Sequence, residues 1–427
     1  MKYVTSAKIQ GFWGSKNVEI NFHDDLNFLI GPNGSGKTTV INLIAAVLRG
    51  DIRALFSIQF TQVIIKLRTP EQRVRPVIEV QKEIDEESGY IVFRYNIKEK
   101  SSEKGTNYTI ESPFDERVYR DMRGPQSGRL QRHGALLSSI LEDFIEVNWL
   151  SIHRTTFGFE RRADRDENFK STIDKKLNEV SRAFSSYFSL LNSAAEREGK
   201  NFQELVFLSL LDRKIDVDSI FRQLSDTTID QETVLGILID LGVSNAKAQK
   251  SSKSFFSRLA KSKDRKLRGE DIGLEEAFLL SDSLRIKEMI EKWKELEEKR
   301  ERIFRPRFQF ESIVNDLFSK KKLFFDARNI PKLLLDSGDE ESVNVLSSGE
   351  KQLFILLGEA LLQEGRPVVF ISDEPELSLH VSWQNVLFRN IRTLNDSCQI
   401  ISATHSPDIV GPFSDRVIEI ESCMTDV

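Results

Sequence analysis

Residues 31 to 39 read Gly-Pro-Asn-Gly-Ser-Gly-Lys-Thr-Thr, and no other stretch constrains the chain so tightly. The spacing G-x-x-x-x-G-K-[ST] is filled at every fixed position. An apolar run, Phe28-Leu29-Ile30, precedes it, and a helical pattern, Val40 to Leu48, follows it. Strand, glycine-rich turn and helix form the context that separates a phosphate loop from a chance cluster of glycines. Gly31, Gly34 and Gly36 allow backbone N–H groups to turn inward, and the start of the following helix adds positive potential. The expected cradle is Asn33, Gly34, Ser35, Gly36, Lys37, Thr38 and Thr39. Lys37 is placed to reach the β- and γ-phosphates of ATP, and Thr38 to put its hydroxyl on Mg²⁺.

Composition narrows the class. At 427 residues, with 39% hydrophobic and 30% charged side chains, the chain is long enough for two or three domain-sized units with a large core. No apolar stretch approaches the ~18 residues of a bilayer span, and residues 1 to 10 are too polar for a signal peptide. The two cysteines, Cys398 and Cys423, lack metal-ligand spacing. A cytoplasmic protein with no membrane partner is expected.

Short strand patterns fill residues 2 to 30, broken by Gly11-Phe-Trp-Gly14, and these are expected to pair with one another up to the phosphate loop. Val63 to Leu67, Val77 to Ile84 and Tyr90 to Lys98 predict an antiparallel sheet beside the nucleotide. Residues 99 to 132, polar and punctuated by Gly and Pro, predict a loop, and Phe144 to Ile152 a buried strand. From about 155 to 305 the period becomes helical. Ile173, Leu177, Val180, Phe184, Tyr187 and Leu191 form one stripe, and Ile286, Ile290, Trp293 and Leu296 another. The second lies in a charge-laced segment, Arg285 to Arg305, long enough for a short coiled coil and expected to end at Pro306. The α/β pattern then returns. Ser347 and Glu350 have capping-box spacing at the start of a helix running to about Glu364.

Pro367 to Glu374 reads as a buried strand ending in two acids, and Gln399 to His405 as another ending in a histidine. Ends of parallel strands line the ligand crevice, so Asp373 is expected to meet the Mg²⁺ and Glu374 to polarise the attacking water.

In order and spacing, Gly31 to Thr39, Leu346-Ser-Ser-Gly-Glu350, Asp373-Glu374-Pro-Glu376 and Thr404-His405-Ser-Pro407 resemble the ABC-type ATPases of the SMC, RecF and OLD group. The resemblance implies an α/β P-loop NTPase head of ABC type, a mixed sheet flanked by helices with an antiparallel β subdomain and a helical insertion. Residues 1–155 and 311–427 would build the head, and 156–310 the insertion. It further implies that Ser347, Gly349 and Glu350 contact the γ-phosphate held by a partner's loop, so that ATP joins two heads in a dimer. His405 would sense the γ-phosphate as the switch histidine, and Ser378 to His380 would link the two sites. Gln59 and Gln62 are the candidates for the phosphate-contacting glutamine. Ser348, Glu350 and Val381 depart from the commoner residues of the group without removing a required chemical group.

The layout resembles most the stand-alone ATPase subunits of bacterial anti-phage systems, that of PARIS ahead of that of Septu. Such an ATPase would act as sensor and regulator of a separate effector chain, such as a Toprim-type nuclease, released by a phage protein. Only 22 residues follow His405, so no nuclease is expected in this chain. Residues 247 to 268 carry nine Lys or Arg against one Asp. Within that run Lys253, Arg258, Lys261, Lys263, Arg265, Lys266 and Arg268, interleaved with Phe255 and Phe256, suit DNA phosphates or an acidic protein that imitates them. A solvated helix face is the plainer alternative. A second basic set, Arg117, Arg120, Arg123, Arg129 and Arg132, is diluted by acids. DNA as direct partner would instead place the chain among repair or recombination ATPases.

Overall fold

The computed structural model of the chain describes residues 2–69, 74–85, 90–101, 103–113, 125–150, 172–211, 229–268 and 273–427. Two compact units divide it, residues 1–185 with 309–427, and residues 186–308.

In the first unit, β1 (Tyr3–Phe12) and β2 (Lys16–Asn21) form a hairpin, followed by β3 (Leu26–Ile30), α1 (Lys37–Arg49) and α2 (Ile52–Ser57). Next come β4 (Gln62–Arg68), β5 (Val77–Ile84), β6 (Tyr90–Lys98), β7 (Thr106–Pro113), α3 (Pro125–Phe144) and β8 (Val147–Leu150). After the second unit the chain returns with β9 (Lys321–Phe325), β10 (Pro331–Leu335), β11 (Glu340–Ser342), the helix Ser348–Leu362 that Leu346 to Glu350 open and that is called the signature helix after them, β12 (Val369–Asp373), a helix Val381–Leu394, β13 (Gln399–Ala403), β14 (Val417–Glu419) and β15 (Met424–Asp426).

An antiparallel sheet takes the order β15-β2-β1-β4-β5-β6-β7, and a parallel sheet the order β14-β3-β13-β12-β8. The first 30 residues therefore do not pair throughout as their patterns suggest. β1 and β2 join the antiparallel sheet, whereas β3 enters the parallel one, where Phe28 and Leu29 are fully buried. Helix α1 is apolar nearly all round because one core cluster covers it from both sheets, joining Val40, Ile41 and Leu43 to Ile9 and Ile65 and also to Ile371 and Ile401. Gly50, at φ 66°, ends it in the left-handed conformation that glycine adopts without strain.

Two further sequence expectations fail in this unit. Residues 99 to 132 are not one loop, since they contain β7, paired along β6, and the first part of α3. Helix α3 also occupies Phe144, so among the described residues the strand expected from that residue begins at Val147 and runs to Leu150. Arg117, Arg120 and Arg123 lie outside the described residues, while Arg129 and Arg132 fall on α3.

The second unit is helical. It contains most of α4 (Thr172–Leu211), then α5 (Gln231–Asp240), α6 (Asn245–Leu267) and most of α7 (Leu274–Leu317). Glu198 pairs with Lys299 at 2.7 Å and Phe202 meets Trp293 edge-on at 5.4 Å, so α4 and α7 run antiparallel. The expected insertion boundary at 155/156 lies outside the described residues, and the compact unit begins only at Ser186. The preceding turns of α4 belong to the first unit because Leu177, Val180 and Phe184 are buried there. Phe184 packs against Phe310, Phe325 and Phe354 at 4.9 to 5.7 Å.

Pro306 does not end its helix. Helix α7 continues to Leu317, with Phe310 and Val314 fully buried. The lost backbone hydrogen bond and ring clash, about 3 kcal/mol, are offset by burial of two large side chains beyond the proline.

Candidate nucleotide site

The loop between β3 and α1 brings together the groups that its spacing predicts. Gly36 sits at φ 93° immediately before α1, and a β-carbon there would lie 2.9 Å from the Trp13 ring. The buried Lys37 ammonium donates to the carbonyls of Gly31 and Pro32 at 2.8 and 2.9 Å. Burial lowers its pKa, against the opposing pull of Glu374, Asp373 and Glu421. Glu421 belongs to the segment joining β14 to β15, whose neighbour Ile420 is fully buried and approaches to 3.0 Å of the position a Gly31 β-carbon would take. Periodicity offers no signal for that contact.

The parallel sheet sets the remaining geometry. β13 lies between β3 and β12, so the phosphate loop, the acid pair and the histidine all leave strand C-termini at one edge. The Thr38 hydroxyl donates to Asp373 Oδ1 at 2.9 Å across 335 residues of sequence. Glu374 takes a left-handed φ of 50°, its N–H donates to Ala403 O at 2.8 Å, and its carboxylate lies 3.7 Å from His405 Nε2. Such φ values in a non-glycine residue cost free energy and concentrate at functional sites.

Mg²⁺ with ATP fits these residues. The buried Ser35 hydroxyl has no hydrogen-bond partner among the described residues, so a phosphate oxygen would satisfy it. Lys37 rests on neutral carbonyls that charged phosphate oxygens would replace with stronger hydrogen bonds. Thr38 and Asp373 supply the hard oxygens that Mg²⁺ prefers, and the ion usually completes its shell with phosphate and water.

The signature stands elsewhere on the same unit. Ser347 caps its helix in a complete capping box, with Ser347 N–H and hydroxyl both 2.8 Å from Glu350 Oε2. Glu350 also pairs with Lys321 on β9 at 2.9 Å. Burial alone would raise the Glu350 pKa, but Lys321 and Ser347 outweigh it and leave it lowered. Its carboxylate holds the start of the helix through Ser347 and ties it to β9 through Lys321. Gly349 serves a close approach, since a β-carbon there would lie 2.3 Å from the Ser378 carbonyl oxygen. Signature and linking loop are therefore in contact within one chain.

One residue beside Gly36 escaped sequence reasoning. Trp13 is exposed, takes φ 53°, stacks on Phe12 at 4.6 Å and covers Gly36. A tryptophan between Gly11 and Gly14 in a hairpin turn was the available signal. Gln59 adjoins this hairpin, accepting from Trp13 N–H through its carbonyl at 3.2 Å, whereas Gln62 donates to Glu79 within the antiparallel sheet.

The basic run is helix α6 of the other unit. Its partly buried Phe255 and Phe256 pack on Leu259 and Leu279, so they serve as core rather than as exposed stacking faces. Arg258 pairs with Glu275 at 2.9 Å, and Arg265 pairs with Glu276. Lys253, Lys261 and Arg268 are exposed; Lys263 and Lys266 fall on the same helix.

The AAA_15 family, the AAA ATPase domain, matches residues 1–410, and the chain belongs to it. With the sheet order above, the fold is an α/β P-loop ATPase head carrying an antiparallel subdomain and helices. Septu protein PtuA of Bacillus thuringiensis is 35% identical over 54 residues, which is 13% of this chain and 14% of that protein. Among solved structures, the Smc head domain with an extended coiled coil bound to the C-terminal domain of ScpA, derived from Pyrococcus furiosus, matches over 100% of this chain and 96% of its own, at 14% identity and a TM-score of 0.40. The SmcHead bound to the C-winged helix domain of ScpA matches over 96% and 92%, at 13% identity and a TM-score of 0.40.

Proposed function

We propose that the chain binds and hydrolyses ATP with Mg²⁺ and uses the nucleotide to close two copies head to head, as sensor and regulator of a separate effector chain in anti-phage defence. The carrying observation is the junction of Thr38 with Asp373 at 2.9 Å beside Glu374 and His405 at 3.7 Å. ATP hydrolysis needs that set. Lys37 neutralises phosphate charge, Thr38 and Asp373 hold the metal, Glu374 orients water and His405 sits where the γ-phosphate oxygens would lie. Trp13 gives the adenine an aromatic face, and Gln59 is the better placed of the two glutamines. In the closed dimer, Ser347 and the N–H groups of its helix present a ready anion site to the partner's nucleotide.

The defence role draws on the motif resemblance and on the short likeness to Septu protein PtuA. The effector would be a separate protein such as a Toprim-type nuclease, with PARIS preferred over Septu on the size of the helical insertion, and the compartment would be the cytoplasm. A repair or recombination ATPase acting on DNA is the second reading, favoured by the exposed basic face of α6.

Turnover by the purified chain, alone and with double-stranded DNA at 50 and 200 mM salt, tests both. If α6 engages six phosphates, DNA affinity falls about a thousandfold between those salts. Stimulation that follows that loss supports the DNA reading; turnover indifferent to DNA supports a protein-gated sensor. Lys37→Ala is expected to lose ATP binding by about 2 to 5 kcal/mol, because buried phosphate oxygens lose their cation. Glu374→Gln is expected to bind ATP yet turn it over slowly. Wild-type turnover in either variant rejects the site.

A further inference from the structure

We infer that Glu376 is a positioning residue that holds the switch histidine against the water-activating carboxylate. It stands two residues beyond Glu374 and is 9% exposed. Its Oε1 accepts two hydrogen bonds, from the Thr404 hydroxyl at 2.7 Å and from His405 N–H at 2.7 Å. Its Oε2 is buried and has no hydrogen-bond partner among the described residues. A buried acid that uses a single oxygen, twice, on adjacent residues of one turn is built to hold that turn. The turn is anchored from its other sides as well. Thr404 N–H donates to Leu29 O at the end of β3, Ser406 N–H donates to the Thr404 hydroxyl oxygen at 3.0 Å, and Glu374 N–H donates to Ala403 O.

Glu376 also connects the turn to the signature. Its segment is braced by Leu377 N–H to Glu374 O and Leu379 N–H to Glu376 O, which places the Ser378 carbonyl against Gly349. One turn further along the signature helix, the buried Gln352 donates to Pro375 O at 2.9 Å. Signature helix, linking loop and His405 are thus joined in series, and the carboxylate of Glu376 is the link between the last two.

This inference rests on the ATPase reading, and its test separates the two. Glu376→Ala is expected to lower kcat about 10- to 100-fold while ATP affinity stays within about threefold, since no phosphate or metal group is touched. Glu376→Gln is expected to restore most of the loss. Its amide oxygen can accept both hydrogen bonds, and its NH₂ occupies the position of an oxygen that had no partner. Thr404→Val, which removes one of the two bonds without altering the acid, is expected to show a smaller fall of the same kind and replaces Glu376→Ala if that variant does not fold.

The imidazole NMR signals of His405, assigned with a His405→Gln variant, report its position without reference to turnover. They are expected to shift or broaden in Glu376→Ala and to return in Glu376→Gln. If wild-type protein does not hydrolyse ATP, the ATPase reading fails, and the His405 signals still decide the role of Glu376. A glutamine variant as impaired as the alanine variant would show that the negative charge is required, and unchanged His405 signals in folded Glu376→Ala would show that it positions nothing; either result overturns the inference.

Discussion

Lys37 rests on two carbonyls of its own loop, bonds that phosphate oxygens would replace, while Thr38 and Asp373 meet where a metal would be held. Trp13 is the residue whose role rests most on geometry. Its exposed ring beside Gly36 is expected to carry the base, and stacking of a base on an aromatic ring is worth about 1–3 kcal/mol. Trp13→Ala should weaken ATP binding roughly 10- to 100-fold and weaken inorganic triphosphate far less, as measured by titration of both ligands. Equal loss for the two would remove the base contact from the scheme.

At the scale of elements, the start of the signature helix carries two demands at once. Its capping box needs the Glu350 carboxylate, and its contact with Ser378 needs the absence of a β-carbon at 349. Gly349→Ala drives a methyl against backbone oxygen, an overpacking that costs about 1–3 kcal/mol when the surroundings must shift. Lower melting temperature together with lost turnover is expected, and a variant with wild-type values for both contradicts the contact. The Glu350 pKa is lowered on folding. The stability it contributes is therefore present above the ordinary glutamate value of about 4.3 and is lost as pH falls through the lower folded value. Glu350→Gln should melt below wild type at pH 7, and the two melting curves should converge as the pH falls below the lowered folded value. A gap that is constant with pH would mean that charge at 350 contributes nothing.

Across the whole molecule, the chain leaves the ATPase unit through α4 and returns through α7, and both helices are held in that unit by a cluster of phenylalanines. Phe184, Phe310, Phe325 and Phe354 come from two long helices, a hairpin strand and the signature helix. Phe184→Ala should cost about 3–5 kcal/mol of the stability of this unit, read as a shift in denaturant midpoint. A shift below 1 kcal/mol would show that the aromatic cluster is not what ties α4 into it. Among the described residues no helix is long and apolar enough to cross a membrane.

The phosphate loop, the acid pair and the capping box were legible because each depends on groups a few residues apart, and local chemistry decides their conformation whatever surrounds them. The stripes through Leu177, Val180 and Phe184 and through Trp293 and Leu296 marked buried faces for the same reason, since helical period is local. Where β3 would pair was not legible. Its five residues are apolar enough for either sheet, and only the insertion of β13 between β3 and β12 settles which backbone groups they bond. That insertion also brings His405 to Glu374 and lets Glu376 reach Thr404, contacts no spacing encodes. Pro306 makes the same point from the side of energy: a local preference of about 3 kcal/mol against helix yields where burial beyond the residue is larger. Sequence alone thus determined which chemical groups this protein carries and which face of its strongly periodic helices is buried; tertiary structure decided which of those groups meet, because strand order and close approach are set by the burial of residues far apart in the chain.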